Sequence, residues 1–171
     1  MISPELTVRP AVPGDLPAVA GINTHYVTHT VATFDETPPT LADWERRLAD
    51  LTGQGLPFLV AELRGEVAGY AYAGPWRPKP AYRHTVEDTI YLAPHHTGRG
   101  LGSALLAPLV ERAAAAGRRQ MVAVIADAPG SDASAALHRR FGFTEAGRLA
   151  RVGHKHGRWI DTVLMQRALA P

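Results

Sequence analysis

The sequence predicts an α/β protein with a mixed sheet and helices on both of its faces. The predicted elements follow the order β-α-α-β-β-β-α-β-α-β-β, without an internal repeat or a low-complexity tract. A length of 171 residues fits one domain, and a hydrophobic content of 46% is enough for a core. No linker is long enough to separate two domains, so we expect one domain spanning residues 1–171.

The first part of the chain predicts one strand and two helices. Weak alternation of apolar residues indicates a strand over residues 6–9. Pro13-Gly14-Asp15 then supplies a turn and an N-cap for a helix over residues 16–29. Thr40, followed three residues later by an aspartate, resembles a capping box that opens a helix ending near residue 51.

The middle of the chain predicts three consecutive strands. Residues 57–63 and 67–74 alternate as strands around Arg64-Gly65-Glu66, which is typical of a β-hairpin because glycine accepts a positive φ. After a proline-interrupted loop, residues 85–92 form a third strand that ends before Pro94.

The last part of the chain predicts two further helices and three strands. Residues 100–116 carry leucines at steps of four, so this helix covers a core. Residues 120–126 are nearly all apolar, which is typical of a strand buried on both faces, and residues 131–140 form a helix. The closing strands are predicted over residues 146–152 and 159–169, around a turn at residues 153–158.

Composition and charge narrow the class of protein. The chain has no cysteine, which excludes disulfides and cysteine-ligated zinc. The N-terminus lacks a signal pattern and no apolar run approaches about 18 residues, so we expect a cytoplasmic protein that does not enter a membrane. The formal net charge is +2 and basic residues alternate with acidic ones, which argues against nucleic acid as a ligand and leaves a small anion possible.

A glycine-rich turn, HHTGRGLGSALL, lies between a predicted strand and a predicted helix. Gly98, Gly100 and Gly102 leave backbone N–H groups accessible at the positive end of the helix dipole, which is typical of an anion site. There is no Gly-Lys-Ser/Thr, which excludes a P-loop, and residues 120–126 lack the acidic residue of a dinucleotide fold. The turn therefore predicts a phosphate ligand of another kind.

The segment TGRGLGSALL resembles the pyrophosphate loop of the GNAT acetyltransferase superfamily. The segments AGYAYAGPWR, YRHTVEDTIYL, ALHRRFGF and GHKHGRWID are similar, in order and spacing, to phosphinothricin acetyltransferases and to methionine sulfone and methionine sulfoximine acetyltransferases. The resemblance covers nearly the whole chain. It implies a GNAT fold with a central, mostly antiparallel mixed sheet, acetyl-CoA as co-substrate without a metal, and a homodimer.

The resemblance also implies a set of cofactor-binding residues. The backbone of the strand before the glycine turn would pair with the pantetheine arm, and the turn would hold the pyrophosphate. The implied cofactor residues are Ile90, Tyr91, Leu92, Gly98, Arg99, Gly100, Leu101, Gly102, Ser103 and Ser131. The chain departs from the family at Thr97, where Gln or Arg is usual, and at Ser131, which replaces an asparagine. Both departures predict weaker cofactor contacts and not loss of binding.

Two residues are candidates for proton transfer. An amine must lose a proton before it attacks a thioester, and Glu87, in an otherwise apolar strand, is placed for this role with a raised pKa. The alternative is an exposed glutamate paired with Arg83 or His84. His138 matches a family histidine proposed to take part in proton transfer, although a helical histidine is as often a surface residue.

The substrate site is predicted from a basic loop ahead of Glu87. Guanidinium groups bind carboxylate, sulfone or phosphinate oxygens in pairs, although the loop is also compatible with a solvated surface. The candidate substrate-binding residues are Trp76, Arg77, Lys79, Tyr82, Arg83, Glu87, Thr89 and Lys155, of which Lys155 would come across a dimer as the family implies. A zinc site is not expected, because His95 and His96 are adjacent and because His154 and His156 lie at a turn whose only nearby carboxylate in sequence is Asp161.

These features predict an enzyme that transfers an acetyl group directly from acetyl-CoA to the α-amine of a small amino acid such as phosphinothricin, methionine sulfone or methionine sulfoximine. The cellular role would be detoxification. Two alternatives remain open at this point: acetylation of a protein N-terminus or another amine, and a CoA-binding sensor without catalysis.

Overall fold

The computed structural model describes residues 5–170. Its strands are β1 (Leu6–Pro10), β2 (Phe58–Leu63), β3 (Glu66–Pro75), β4 (Thr85–Leu92), β5 (Gln120–Ala126), β6 (Thr144–Lys155) and β7 (Arg158–Ala168). Its helices are α1 (Leu16–His29), α2 (Leu41–Gly53), α3 (Leu101–Ala115) and α4 (Ser131–Arg140). The element order is the predicted one, and the predicted mixed α/β fold is confirmed.

The seven strands form one sheet in the order β1-β2-β3-β4-β5-β7-β6. Every neighbouring pair is antiparallel except β4 and β5, which run parallel. The parallel pair is also the shortest, because pairing begins at Thr85 with Gln120 and stops at Glu87 with Val122. Beyond that point β4 remains paired with β3 and β5 remains paired with β7. The sheet therefore opens between its two halves.

The helices cover the two faces of the sheet in pairs. Neighbouring residues of a strand point to opposite faces, so Glu87 and Asp88 mark the two sides of β4. Residues of α2 line the same cleft as Glu87, and the ring of Tyr26 on α1 lies 4.9 Å from the ring of Tyr91 on β4. On the other side, His138 of α4 contacts Asp88. Helix α3 belongs to this second layer, because it packs directly against α4.

The predicted core positions of two helices are buried. In α3, Leu101, Leu105 and Leu109 are buried, as their spacing of four residues predicts. In α2, the capping box forms as expected: Thr40 Oγ1 accepts the Asp43 N–H at 3.1 Å, and Asp43 Oδ2 accepts the Thr40 N–H at 2.7 Å. This cap fixes where α2 begins and turns Trp44 into the core.

Two local predictions differ from the structure. Asp15 is the N-cap residue of α1 as predicted, but its carboxylate makes no capping hydrogen bond: it binds Arg9 and accepts the Val12 N–H at 2.8 Å instead. The turn expected over residues 153–158 is shorter, because His156 and Gly157 both adopt a positive φ and close a two-residue hairpin. As a result β6 continues to Lys155, and β7 begins one residue earlier than predicted.

Within residues 5–170, no helix combines the length and apolar character that crossing a membrane requires.

Candidate active site

The opening between β4 and β5 exposes a row of peptide groups. The Ala93 N–H donates to Ala68 O on β3 at 2.8 Å. Since backbone groups of a strand face its two neighbours alternately, Ile90 and Leu92 direct their N–H and C=O groups toward the opening. Tyr91, the third residue of the predicted pantetheine contact, directs its backbone to β3 and its side chain to the face of Glu87. The hydroxyl of Tyr26 donates to Leu92 O from α1.

The glycine-rich turn follows directly after this edge. Gly98 and Gly100 have φ of 77° and 79°, a left-handed conformation that favours glycine. Gly100 is the N-cap of α3, and no side chain caps that end. The first N–H groups of α3, at Leu101, Gly102 and Ser103, are therefore available to an anion.

The third glycine of the turn has a different role. An added Cβ at Gly102 would lie 2.9 Å from Leu137 Cδ2, so this glycine allows α3 to pack closely on α4. At Gly98 and Gly100 an added Cβ would meet no atom within 4 Å, which means that the space over the turn is open. The backbone of the turn is therefore accessible at Gly98 and Gly100, while the start of α3 is held against α4 at Gly102.

Thr97 and Ser131, the two positions at which weaker cofactor contacts are predicted, both make local hydrogen bonds. Thr97 Oγ1 donates to Pro94 O at 3.2 Å, so its side chain closes the short 3-10 turn Pro94–His96. Ser131 is the first residue of α4 and half-buried, and its N–H donates to Ala128 O at 3.0 Å. Arg99 is exposed between the two left-handed glycines.

A cleft of about 840 Å³ lies on the Glu87 face of the sheet. Its walls come from the loop before α2, from one side of α2, and from β3 and β4. The lining residues are Asp35, Thr37, Pro38, Pro39, Thr40, Asp43, Arg46, Arg47, Asp50, Leu51, Gln54, Tyr72, Gly74, Pro75, Glu87 and Thr89. Glu87 and Thr89 are the two predicted substrate residues that the structure brings into this cleft.

Glu87 forms no ion pair with another residue of the described chain. Burial raises the pKa of its carboxyl above the ordinary value, and the charge of Asp88 raises it further, while Arg77 acts in the opposite direction. Arg83, the partner in the alternative reading, donates to Pro80 O instead. A half-buried carboxylate of raised pKa in a cleft has the properties of a general base.

Arg47 contributes a cation that the sequence reasoning missed. Its guanidinium lies 4.8 Å from the ring centre of Trp44 and 5.4 Å from that of Tyr72, and it donates to the Tyr72 hydroxyl at 3.1 Å. The stacking holds the planar group in place beside the cleft. The sequence contained a signal for this contact: Arg47 follows Trp44 by three residues and therefore lies on the apolar face of α2, where a charged residue is not expected.

The predicted basic loop does not line the cleft of Glu87. Trp76 and Tyr82 line a separate cleft of about 270 Å³ with residues of β5 and β7. The Arg77 guanidinium lies 4.9 Å from the ring centre of Trp76, and Lys79 is exposed. Of this loop, only Arg77 acts on the pKa of Glu87.

Lys155 is buried and bound within its own chain. Its Nζ donates to Thr33 O at 2.8 Å, and the side chain is 3% exposed. Burial lowers the pKa of its ammonium group, against the raising effect of Asp35 and Glu36. Lys155 thus links the end of β6 to the loop before α2, which forms part of the cleft wall.

His138 lies on the face of β4 opposite Glu87. Its Nδ1 donates to Ser134 O at 2.7 Å, and its Nε2 contacts Asp88 Oδ2 at 2.7 Å, with both side chains 4% exposed. Burial alone would lower the pKa of His138, but the hydrogen bond and charge of Asp88 and the Ser134 carbonyl raise it overall. Both ring nitrogens are engaged, so the structure does not bring His138 together with Glu87.

Comparison with known proteins identifies acetyltransferases as relatives of this chain. The sequence model of the acetyltransferase (GNAT) family matches residues 22–143. A phosphinothricin N-acetyltransferase of Alcaligenes faecalis is 47% identical, with 95% of this chain and 82% of that protein covered. An L-methionine sulfoximine/L-methionine sulfone acetyltransferase of Pseudomonas aeruginosa is 43% identical, with 96% and 95% covered.

A solved structure has the same fold. It is a GNAT superfamily phosphinothricin acetyltransferase from Sinorhizobium meliloti in complex with AcCoA, with a TM-score of 0.91, 47% identity, and 97% of this chain and 89% of that chain covered. The chain belongs to the GNAT acetyltransferase family.

The Asp88–His138 pair predicts a pH-dependent contribution to stability. Because the folded-state pKa of His138 is raised, the pair stabilises fully below the ordinary histidine pKa, and this stabilisation is lost as the pH rises through the raised value. We expect His138→Asn to lower the free energy of unfolding by about 3 kcal/mol at pH 6 and by less at pH 9. Urea unfolding measures both values. His84→Asn, at an exposed histidine, is the control, and an equal loss for His138→Asn at the two pH values would contradict the charged pair.

Proposed function

We propose that this chain is one N-acetyltransferase domain that transfers an acetyl group from acetyl-CoA to the α-amine of a small amino acid. The acceptor would be of the phosphinothricin, methionine sulfone or methionine sulfoximine type. The observation that carries the proposal is Glu87, a carboxylate of raised pKa that lines a cleft beside the open edge of β4. This class of acceptor is supported by the relatives, which are named as acetyltransferases of phosphinothricin and of methionine sulfoximine and methionine sulfone.

The open edge of the sheet and the glycine turn fit acetyl-CoA. The N–H groups at the start of α3 would hold the diphosphate, and left-handed Gly98 and Gly100 keep side chains out of its way. The peptide groups of Ile90 and Leu92 would pair with the amide groups of the pantetheine arm as a further strand would. The coenzyme supplies a thioester, whose carbonyl carbon the amine attacks.

The residues of this chain would then act in a simple order. Glu87 accepts a proton from the substrate ammonium group, directly or through a water molecule. A backbone N–H on the open edge of β4 stabilises the negative charge that develops on the carbonyl oxygen. The C–N bond forms first and the C–S bond then breaks. The nitrogen loses its second proton, and the departing thiolate of CoA takes up one proton, through solvent, so that the charges balance. The absence of cysteine agrees with direct transfer.

Arg47 is the residue we assign to the carboxylate of the acceptor. It lines the cleft together with Glu87, and its guanidinium is held flat by Trp44 and Tyr72. A fixed guanidinium binds a carboxylate through two parallel hydrogen bonds. An amino acid bound in this way would have its carboxylate on Arg47 and its amine at Glu87.

We expect Glu87→Gln to lower kcat for methionine sulfone about 100-fold or more, because the amide cannot accept the proton. In the unchanged enzyme, kcat should fall as the pH drops through the raised pKa of Glu87, and this fall should disappear in the variant. Steady-state kinetics across pH measures both effects. Glu45→Gln, at an exposed glutamate of α2, is the matched control. A Glu87→Gln enzyme with unchanged kcat at every pH would remove Glu87 from the mechanism.

We expect Arg47→Met to raise KM for methionine sulfone about tenfold or more and to leave KM for acetyl-CoA unchanged, because a charge-assisted hydrogen bond contributes about 1.5–3 kcal/mol. An analogue of methionine sulfone without the carboxylate should be a poor acceptor for the unchanged enzyme and should not be affected by the substitution. Arg112→Met, at an exposed arginine of α3, is the control. Equal turnover of the analogue, or faster acetylation of a peptide N-terminus, would contradict the proposed acceptor.

The proposal extends to a cytoplasmic homodimer with a role in detoxification. Its support is exposed apolar side chains on the half of the sheet farthest from α1 and α2. Val124 and Leu149 lie on one face of this half, and Trp159, which is 59% exposed, lies on the other face. Burying such side chains between two copies would be favourable.

We expect light scattering to give the mass of two chains for the unchanged protein. Trp159→Glu should give the mass of one chain, because it places a charge in the proposed interface, whereas Val12→Glu, at an exposed residue before α1, should leave the dimer intact. A single-chain mass for the unchanged protein would refute the dimer.

A further inference from the structure

His96 is buried without a partner for its imidazole ring. It ends the 3-10 turn Pro94–His96, immediately before the glycine turn, and is 9% exposed. Neither ring nitrogen has a hydrogen-bond partner among the described residues. Buried polar groups normally have a hydrogen-bond partner, so the ring nitrogens of His96 are available to a ligand.

Two further ligand groups lie beside His96. A nitrogen of His95, a nitrogen of His96 and a carboxylate oxygen of Glu66 all lie within 4.8 Å of one another. Glu66 lies 29 residues before His95 in the sequence, but β3 begins where β4 ends, and the Ala93 N–H donates to Ala68 O. The sheet therefore brings a carboxylate that is distant in sequence to this histidine pair.

We propose that Glu66, His95 and His96 form a binding site for a divalent transition-metal ion such as Zn²⁺. Two imidazoles and one carboxylate are a donor set that such ions accept, with a remaining position for water. Ligands about 2.1 Å from a tetrahedral ion lie about 3.4 Å apart. Because Glu66 and His95 are exposed and free to change rotamer, they can close the remaining distance around the buried His96.

Two charges near the cluster act in opposite directions on a bound ion. The positive charge of Arg99 opposes a bound cation, and the negative charge of Glu66 favours one.

The site is separate from the acetyl-transfer chemistry. Glu87 lies five residues before Leu92 on β4, which corresponds to about 16 Å along the strand, and the cluster lies beyond the end of that strand. An ion here would tie the start of β3 to the residue preceding Thr97 and the glycine turn. This inference does not depend on the identity of the acceptor.

Zn²⁺ binding to the untagged protein, measured by competition with a chromophoric chelator, tests the proposal. We expect one ion per chain, and an affinity at least about tenfold lower in Glu66→Gln and in His96→Asn. His29→Asn is the matched control, because His25 and His29 form another neighbouring histidine pair whose ring centres are 5.3 Å apart. Its affinity should equal that of the unchanged protein.

Glu66→Gln decides the outcome even if His96→Asn does not fold, because Glu66 is exposed at a strand end. Unchanged affinity in Glu66→Gln, loss of binding in His29→Asn, or no binding to the unchanged protein would each overturn the site. The last result would assign a water molecule to His96. A rise in Tm with Zn²⁺ in the unchanged protein that is absent in Glu66→Gln would support the site.

Discussion

The separation of β4 from β5 is the constraint on which the proposed active site depends. Each strand keeps its other partner, because β4 stays paired with β3 to Leu92 and β5 stays paired with β7 to Ala126. The peptide groups along the opening would otherwise be consumed by a continuous parallel ladder. An extended ligand with its own amide groups can take the place of the missing strand, and α3 begins where such a ligand would reach the end of the opening.

The same strand separates two carboxylates that have different roles. Glu87 and Asp88 are adjacent, so the pleat sends them to opposite faces. Glu87 lines an open cleft, where burial raises its pKa. Asp88 is enclosed under α4 with His138 and serves as a buried partner for its imidazole. A single register shift in β4 would exchange the two environments, which makes the pairing of β4 with β3 as important to the site as the glutamate itself.

Much of the fold could be predicted because the chain marks its elements locally. The Thr40 capping box, the leucine spacing of α3 and the left-handed glycines each work within a few residues, and the structure shows all three. The hairpin between β6 and β7 was predicted with too long a turn. Its turn depends on His156 taking a positive φ, which is an uncommon conformation for a residue other than glycine.

The sequence by itself determined the order of elements, the glycine turn and the presence of a glutamate in the strand before it. These properties follow from local backbone preferences and from the period of two in a strand. Only the tertiary structure decided which side chains meet: Arg47 of α2 reaches the cleft of Glu87, Trp76 and Tyr82 line another cleft, and Glu66 meets the histidines at residues 95–96. These contacts depend on which strands are neighbours in the sheet and on which helix covers each face. Neither property can be predicted from local sequence, because the contacting residues are far apart in the chain.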